Sequence, residues 1–382
     1  MFRRAMVWLG VENLNKFPSS FSFLVGNDPI KIYLQRMLVK KAIGNSLLFA
    51  GPNGVGKGLF AYALASQLIC EQEEKNKYKI ENGLHPDIHI YRPEGKLGLH
   101  SIQSLRELSE EVHLPPYEAS WKIFIIHDAE RMLSVSANTL LKTFEEPPPK
   151  TVIILLSQSQ AALLPTIVSR CRTLHFQPIH ASEIEKVLVE RMYLETEFAQ
   201  NIASLSQGSL RRAVQLIQKK GDESRIFLLN TLSQLPLTSY KEFTQIVGEL
   251  VAQIELSKKF VEEKAKEEFL KLFSEQLSTA HQQHLEKEIE GRCTQIFLQD
   301  VESLFDQLYA WYRDLHLLQL TQNKSLLIHS DYAESIEQIL QRGNLLPLEI
   351  VQKSIEEARL SLQRSTSLNI CLENLFLKLA WI

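Results

Sequence analysis

Brief apolar runs punctuate the first half of the chain: Ser46–Ala50 (SLLFA), Ile88–Tyr91, Lys122–Ile126 (KIFII) and Thr151–Leu156 (TVIILL). They are rich in β-branched, aromatic and leucine residues, and turn-forming residues bound them. Such runs predict strands buried on both faces of a mainly parallel sheet. Between them the apolar spacing is helical, as in Leu59–Ile69 and in Ser101–Val112, where Ile102, Leu105 and Leu108 fall on one side. The alternation predicts an α/β fold. After about Pro178 the strand signals stop. From there the pattern is helical to the end, broken by polar turns at Gln207–Ser209 and Gln341–Asn344. Leu256–Phe273 alternates Lys and Glu, the mark of a solvated helical face. Leu368, Cys371, Leu372, Leu375, Phe376 and Leu379 recur at helical spacing, an apolar stripe that must pack on something. There is no internal repeat, and Glu71–Glu81 (EQEEKNKYKIE) is the most loop-like insertion.

Composition narrows the class. With 382 residues, 45% of them hydrophobic, the chain has material for more than one core, and its length predicts two or three domains. The formal net charge of −3 lacks the basic excess with which a duplex-DNA binder displaces counterions. Any nucleic-acid contact is therefore local or shared with partners. Cys70, Cys171, Cys293 and Cys371 include no CxxC pair. That argues against a disulfide framework and a four-cysteine zinc site, and reads as a protein of the reducing cytosol. No run approaches the ~18 apolar residues of a membrane span. Met1–Gly10 turns polar too soon for a signal peptide.

The chemistry is carried by Gly51-Pro52-Asn53-Gly54-Val55-Gly56-Lys57-Gly58, which follows a predicted strand and opens a predicted helix. In this setting backbone N–H groups converge on phosphates, the helix N-terminus adds its dipole, and Lys57 supplies a point charge. A glycine-rich turn that binds nothing is the competing reading. One position departs from the pattern. The residue after the lysine should carry a hydroxyl to hold magnesium, and here it is Gly58. Further on, Ile123–Glu130 (IFIIHDAE) ends a strand with an acid, so Asp128 is a candidate to hold magnesium through water. The following place, where a hydrolysing enzyme has the glutamate that activates water, is Ala129. Glu130, one step along, points elsewhere if the strand continues. Nucleotide binding without efficient hydrolysis is the expectation.

Several stretches together resemble the AAA+ clamp-loader family of bacterial DNA polymerase III. They are His85-Pro86-Asp87, Ile102–Leu108, Asp128–Met132, Ala137–Pro148 (ANTLLKTFEEPP) and Leu164–Cys171 with its terminal Ser169-Arg170-Cys171. Near the C-terminus, Trp311–Leu315 and Ala358–Leu379 look like the family's collar. The resemblance covers most of Phe21–Arg212 and thins over 222–305. It implies an α/β P-loop AAA+ core with a parallel sheet over 1–180, a small helical lid over 181–221 and an all-α collar over 222–382. The implied role is a poorly or non-hydrolysing subunit in a hetero-pentameric ring with the loader's ATPase subunits and its delta subunit. That assembly places a sliding clamp on primed DNA.

Within the resemblance, Arg170 corresponds to an arginine finger acting in a neighbour's ATP site, with an ordinary interface arginine as the alternative. Arg211 in Gly208–Ala213 is the better match to an arginine that senses phosphates in cis, with Arg212 the alternative. Ser157 and Gln158 stand where the family has its first sensor, and Val25-Gly26 resembles the segment flanking the adenine. ATP or ADP is the implied cofactor. Relatives carry a four-cysteine zinc module after the first helix, whereas this chain keeps only Cys70 there, so no zinc is expected. Two other readings remain: an ATP-hydrolysing motor subunit of the same loader, and an unrelated P-loop enzyme. The motor would need a hydroxyl at 58 and a glutamate at 129, and it carries a Pro-rich linker and tail where this sequence stops at Ile382.

Overall fold

Five strands lie side by side, all parallel, in the order β2-β3-β4-β1-β5. They are β1 (Ser46–Ala50), β2 (Ile88–Tyr91), β3 (Lys122–Ile126), β4 (Thr151–Ser157) and β5 (Arg172–His175). The structure, a computed structural model, describes residues 20–70, 79–80, 85–94, 98–217, 222–237, 239–272, 279–341, 345–364 and 366–381. Met1–Gly10, the insertion after Cys70 and the turn at 342–344 therefore lie outside the described residues, apart from 79–80.

The apolar runs form strands because both of their faces are covered. Ile123 and Ile125 of β3, with Leu47, Phe49, Val152 and Ile154, pack under the helix α2 (Lys57–Cys70; α1 is Asp28–Val39). Phe124 and Ile126, with Leu48, Ile153 and Leu155, face the other way. There they meet Leu105 and Leu108 of α3 (Ile102–Glu111), Leu140, and Phe144 of α5 (Leu141–Glu145; α4 is Ser134–Thr139). Ser101 caps α3 by accepting from Ser104 N at 3.0 Å. Ile102, expected on the buried side, is half exposed in the first turn of that helix.

β5 escaped the sequence reading. Its residues, RTLH, are charged or half exposed, with no apolar run to mark them. It is an edge strand held by its pairing to β1, from Leu47↔Arg172 to Ala50↔His175. The guanidinium of the exposed Arg172 lies over the Tyr33 ring at 4.6 Å, a cation–π contact in place of a core contact.

The chain divides into two compact units, one of 1–94 with 98–218 and one of 95–97 with 219–382. In the first, α7 (Ala181–Met192; α6 is Pro165–Val168), α8 (Thr196–Leu205) and α9 (Leu210–Ile217) bury their own apolar cluster, including Ile184, Leu188, Ile202 and Val214. The second is helical: α10 (Asp222–Ser233), α11 (Tyr240–Leu272), α12 (Thr279–Thr321), α13 (Ala333–Gln341), α14 (Leu348–Gln363) and α15 (Leu368–Lys378). The C-terminal stripe finds its partner here, since Leu368, Cys371, Leu372, Leu375, Phe376 and Leu379 all enter a core with Trp311, Phe305 and Phe243. Phe376 and Trp381 stack at 3.8 Å. No helix among the described residues is long and apolar enough to cross a membrane.

One buried acid organises this second core. Asp314 is fully enclosed on α12, accepts from His329 N at 2.8 Å and pairs with Arg313 at 2.8 Å. Burial holds its carboxyl above the ordinary range, opposed by those same hydrogen bonds. Asp314→Ala leaves a buried N–H without its acceptor and should cost about 2–3 kcal/mol in urea unfolding. Asp314→Asn should cost less, because an amide oxygen still accepts; equal losses would show that the charge, not the acceptor, matters.

Candidate phosphate site

The loop after β1 is shaped by what surrounds it. Gly51 N donates to Ser157 O at 3.2 Å, and a side chain at Gly51 would run into the Phe176 carbonyl. Phe176 is fixed in turn by Phe49 and Phe60, with ring centroids 5.2 and 5.0 Å away. Gly54 has φ +78°, and a Cβ there would collide with the Ser209 hydroxyl, so glycine is required twice over. Val55 is buried and anchors the loop, while Pro52 and Asn53 are exposed at its tip. Gly56 O starts α2 by accepting from Phe60 N at 3.0 Å.

Lys57 is buried, and its Nζ donates to Gly51 O and, at 2.8 Å, to Pro52 O. Burial pushes its pKa down to about 8, against the carboxylates of Glu130 and Asp128. The lysine is thus a desolvated cation whose hydrogen-bond partners are neutral carbonyls. A phosphate chain would supply the missing countercharge, so the loop fits a nucleotide's phosphates.

The acidic side of the site differs from the sequence reading. Because Ile123 and Ile125 face α2, the strand period puts residue 127 on that same face. That residue is His127, whose backbone extends β3 by donating to Tyr91 O at 2.9 Å. A Cβ at Gly58 would sit 3.2 Å from His127 Cε1 and 3.9 Å from its Nε2. His127, not Asp128, is the side chain opposite residue 58. Burial lowers its pKa well below the usual value, and the charges of Arg92, His100 and Lys57 add to this, so the imidazole is neutral. Asp128 turns away at φ +48° and begins a short 3-10 turn, Ala129–Arg131. That turn brings Glu130 back: its Oε1 accepts from Gln158 N at 3.4 Å, and burial raises its pKa. Ala129 is buried. Counting in twos from Ile123 would have found His127; nothing local marks the return of Glu130.

The start of α9 lies against the loop. Arg211 N approaches Gly54 O at 3.5 Å, and a Cβ at Gly54 would lie 3.1 Å from Arg211 Cβ. Arg212 is instead tied to Gln207 Oε1 at 3.0 Å. Of the two candidates, Arg211 is the one whose Cβ stands beside the loop. Val25-Gly26 leads into Asn27, which exchanges hydrogen bonds with Gln177, donating to its O at 3.1 Å and accepting from its N at 2.8 Å. Gly26 has φ +68° and packs against Ile179. Ser157 is buried, and its hydroxyl donates to Ser159 O at 2.9 Å.

Arg170 stands apart from this cluster. It follows the short helix α6, donating to Thr166 O at 2.9 Å and pairing with Glu145 at 3.2 Å. Its neighbour Ser169 is exposed. The Cys70 side chain lies outside the described residues, and His85 of the His85-Pro86-Asp87 stretch is buried in a cluster with Asp87 and Glu118. Among the described residues no group of three or more metal-ligating side chains is assembled to hold an ion.

A five-stranded parallel sheet in this order, with a glycine loop and lysine between β1 and α2, defines a P-loop core of AAA+ type flanked by helices. Comparison with known proteins agrees. Residues 26–180 match the family model described as DNA polymerase III, delta subunit. The chain is 36% identical over 165 residues to DNA polymerase III subunit delta' of Bacillus subtilis, covering 41% of this chain and 50% of that protein. It is 30% identical over 240 residues to subunit tau of the same organism, covering 57% and 42%. It thus spans half or less of the length of these two relatives. A solved structure of the Thermotoga maritima RuvB Holliday junction branch migration motor aligns with TM-score 0.41 at 17% identity, over 65% of this chain and 78% of that one. The similarity is therefore to subunits of bacterial DNA polymerase III and centres on residues 26–180.

The desolvated lysine yields a prediction. Removing its charge should stabilise the protein, as substitutions of binding residues often do. Lys57→Met should raise the melting temperature of nucleotide-free protein by about 2–4 °C for each kcal/mol recovered. The folded pKa lies below the unfolded one, so the destabilisation is full below pH 8. It fades as the pH climbs from about 8 towards 10.5, and the gap between wild type and variant should close over that window. A variant that melts lower at pH 7 would contradict this.

Proposed function

We propose that this chain is a clamp-loader subunit of the delta-prime type, which supports ATP turnover by its neighbours and has little of its own. The observation that carries this is the pair at 58 and 127. The two positions that share magnesium in a hydrolysing P-loop protein are here a glycine and a neutral imidazole in contact. The residue after His127, where a hydrolysing enzyme has its glutamate, is Asp128, a shorter acid that leaves the strand at φ +48°. The match to delta' of Bacillus subtilis supports the same assignment.

In this reading Arg170 is the chain's contribution to catalysis. Its guanidinium rests on Glu145 and would exchange that carboxylate for the phosphates of a neighbouring subunit's ATP. Arg211 senses phosphates at the chain's own loop. The nucleotide there is ATP or ADP, held by Gly51–Gly58 as a brace that stabilises the folded form by mass action. The core, the lid over 181–221 and the collar over 222–382 then work as one member of a five-subunit ring that includes the loader's ATPase subunits and delta. Sliding clamp and primed DNA are reached through that ring, in agreement with the absence of a basic excess in the sequence. The cytosol is its place.

The 30% identity to tau over 240 residues supports one competing reading, a motor subunit of the same loader. Reconstitution separates them. The cognate loader is assembled with this chain, without it, and with Arg170→Ala, and clamp- and DNA-stimulated ATP hydrolysis is followed. The chain alone should be inert, its addition should raise turnover, and Arg170→Ala should remove at least about tenfold of that turnover. Brisk hydrolysis by the isolated chain would decide for the motor. No effect in either setting would remove both.

A further inference from the structure

In a P-loop protein the residue after the lysine and an acid at the end of the neighbouring strand ligate one magnesium ion between them. Here those places are Gly58, with no side chain, and His127, with no oxygen. They face each other closely: the imidazole Cε1 lies 3.2 Å from where a Cβ at 58 would stand, on the space a hydroxyl ligand would use. Magnesium demands oxygen ligands in near-octahedral array. The remaining acids do not stand at the strand position: Asp128 has left the strand at φ +48°, and Glu130 returns beyond the turn with Oε1 accepting from Gln158 N, both near enough to oppose the fall in the Lys57 pKa. Lys57, meanwhile, and the loop glycines that cradle phosphates are intact.

We infer that the phosphate loop takes the phosphates of a nucleoside di- or triphosphate without a divalent cation, the His127 imidazole filling the metal's place. The inference rests on the reading of Gly51–Gly58 as a nucleotide site and specifies its chemistry. Two consequences follow. Magnesium, by covering phosphate charge, gives no gain in affinity here. A hydroxyl restored at 58 alone does not bring metal dependence back, because the side chain meets the imidazole.

The test is titration of the full chain with fluorescent ADP and ATP, in excess EDTA and in excess magnesium, with inorganic pyrophosphate as competitor. Wild type should bind both nucleotides with a Kd in EDTA equal to or tighter than that in magnesium, within about twofold on the weak side. Pyrophosphate should displace them. Gly58→Thr should show no magnesium gain. Combined with His127→Asp, which supplies the oxygen and clears the space, it should bind about tenfold or more tightly with magnesium than without. Wild-type binding that tightens about tenfold on adding magnesium overturns the inference, whatever the variants do. So does the absence of binding in both buffers. Absence of binding also removes the nucleotide brace, whereas the role of Arg170 in the loader is decided separately by the reconstitution assay, which needs no nucleotide at this loop.

Discussion

Burial of the parallel sheet on both faces is the constraint on which everything else in the first unit depends. With α2 on one side and α3 and α5 on the other, alternate residues of β1, β3 and β4 have no freedom of register. A slip by one residue would exchange two full apolar surfaces. The carboxyl ends of β1 and β4 are thereby locked together, and Gly51 N is delivered to Ser157 O. The phosphate loop is then shaped by contact: the Phe176 carbonyl against Gly51 and the Ser209 hydroxyl against Gly54. A site on rigid strand ends, with the start of α9 against it, is prepared before any ligand arrives.

The same packing sets the electrostatics. Lys57 is held out of water with carbonyls for partners, a cost the fold tolerates where function needs a positive point. His127 lies on the same face and is kept neutral among positive neighbours. Charge at this site is therefore concentrated in one lysine, with acids set back around a turn. A buried lysine bonded to carbonyls suits an anion.

Arg170 illustrates a different dependence. It sits after a short helix, satisfied by Thr166 and Glu145, away from the lysine's cluster. Its partners are local and polar, bonds that a stronger anion can replace. The helical second unit has its own centre, where Asp314 receives His329 N beneath the Trp311 and Phe376 core.

The apolar runs determined four of the strands and both covered faces, because burial on two sides requires such runs. Glycine spacing and Lys57 determined the phosphate loop, because backbone convergence demands those residue types in that order. The C-terminal stripe determined that a helix must pack, though not on what. Tertiary structure alone decided the rest. β5 carries no apolar signal, since an edge strand beside β1 is held by backbone pairing and by Arg172 over Tyr33. The return of Glu130 is set by the backbone turn at Asp128, and a turn's φ is not written in a pattern of apolar residues. That Arg211 rather than Arg212 has its Cβ beside Gly54 is likewise set by how α9 packs. His127 stands between the two: the strand period counted from Ile123 reaches it, but the packing of β3 against α2 set that face opposite the missing hydroxyl at 58.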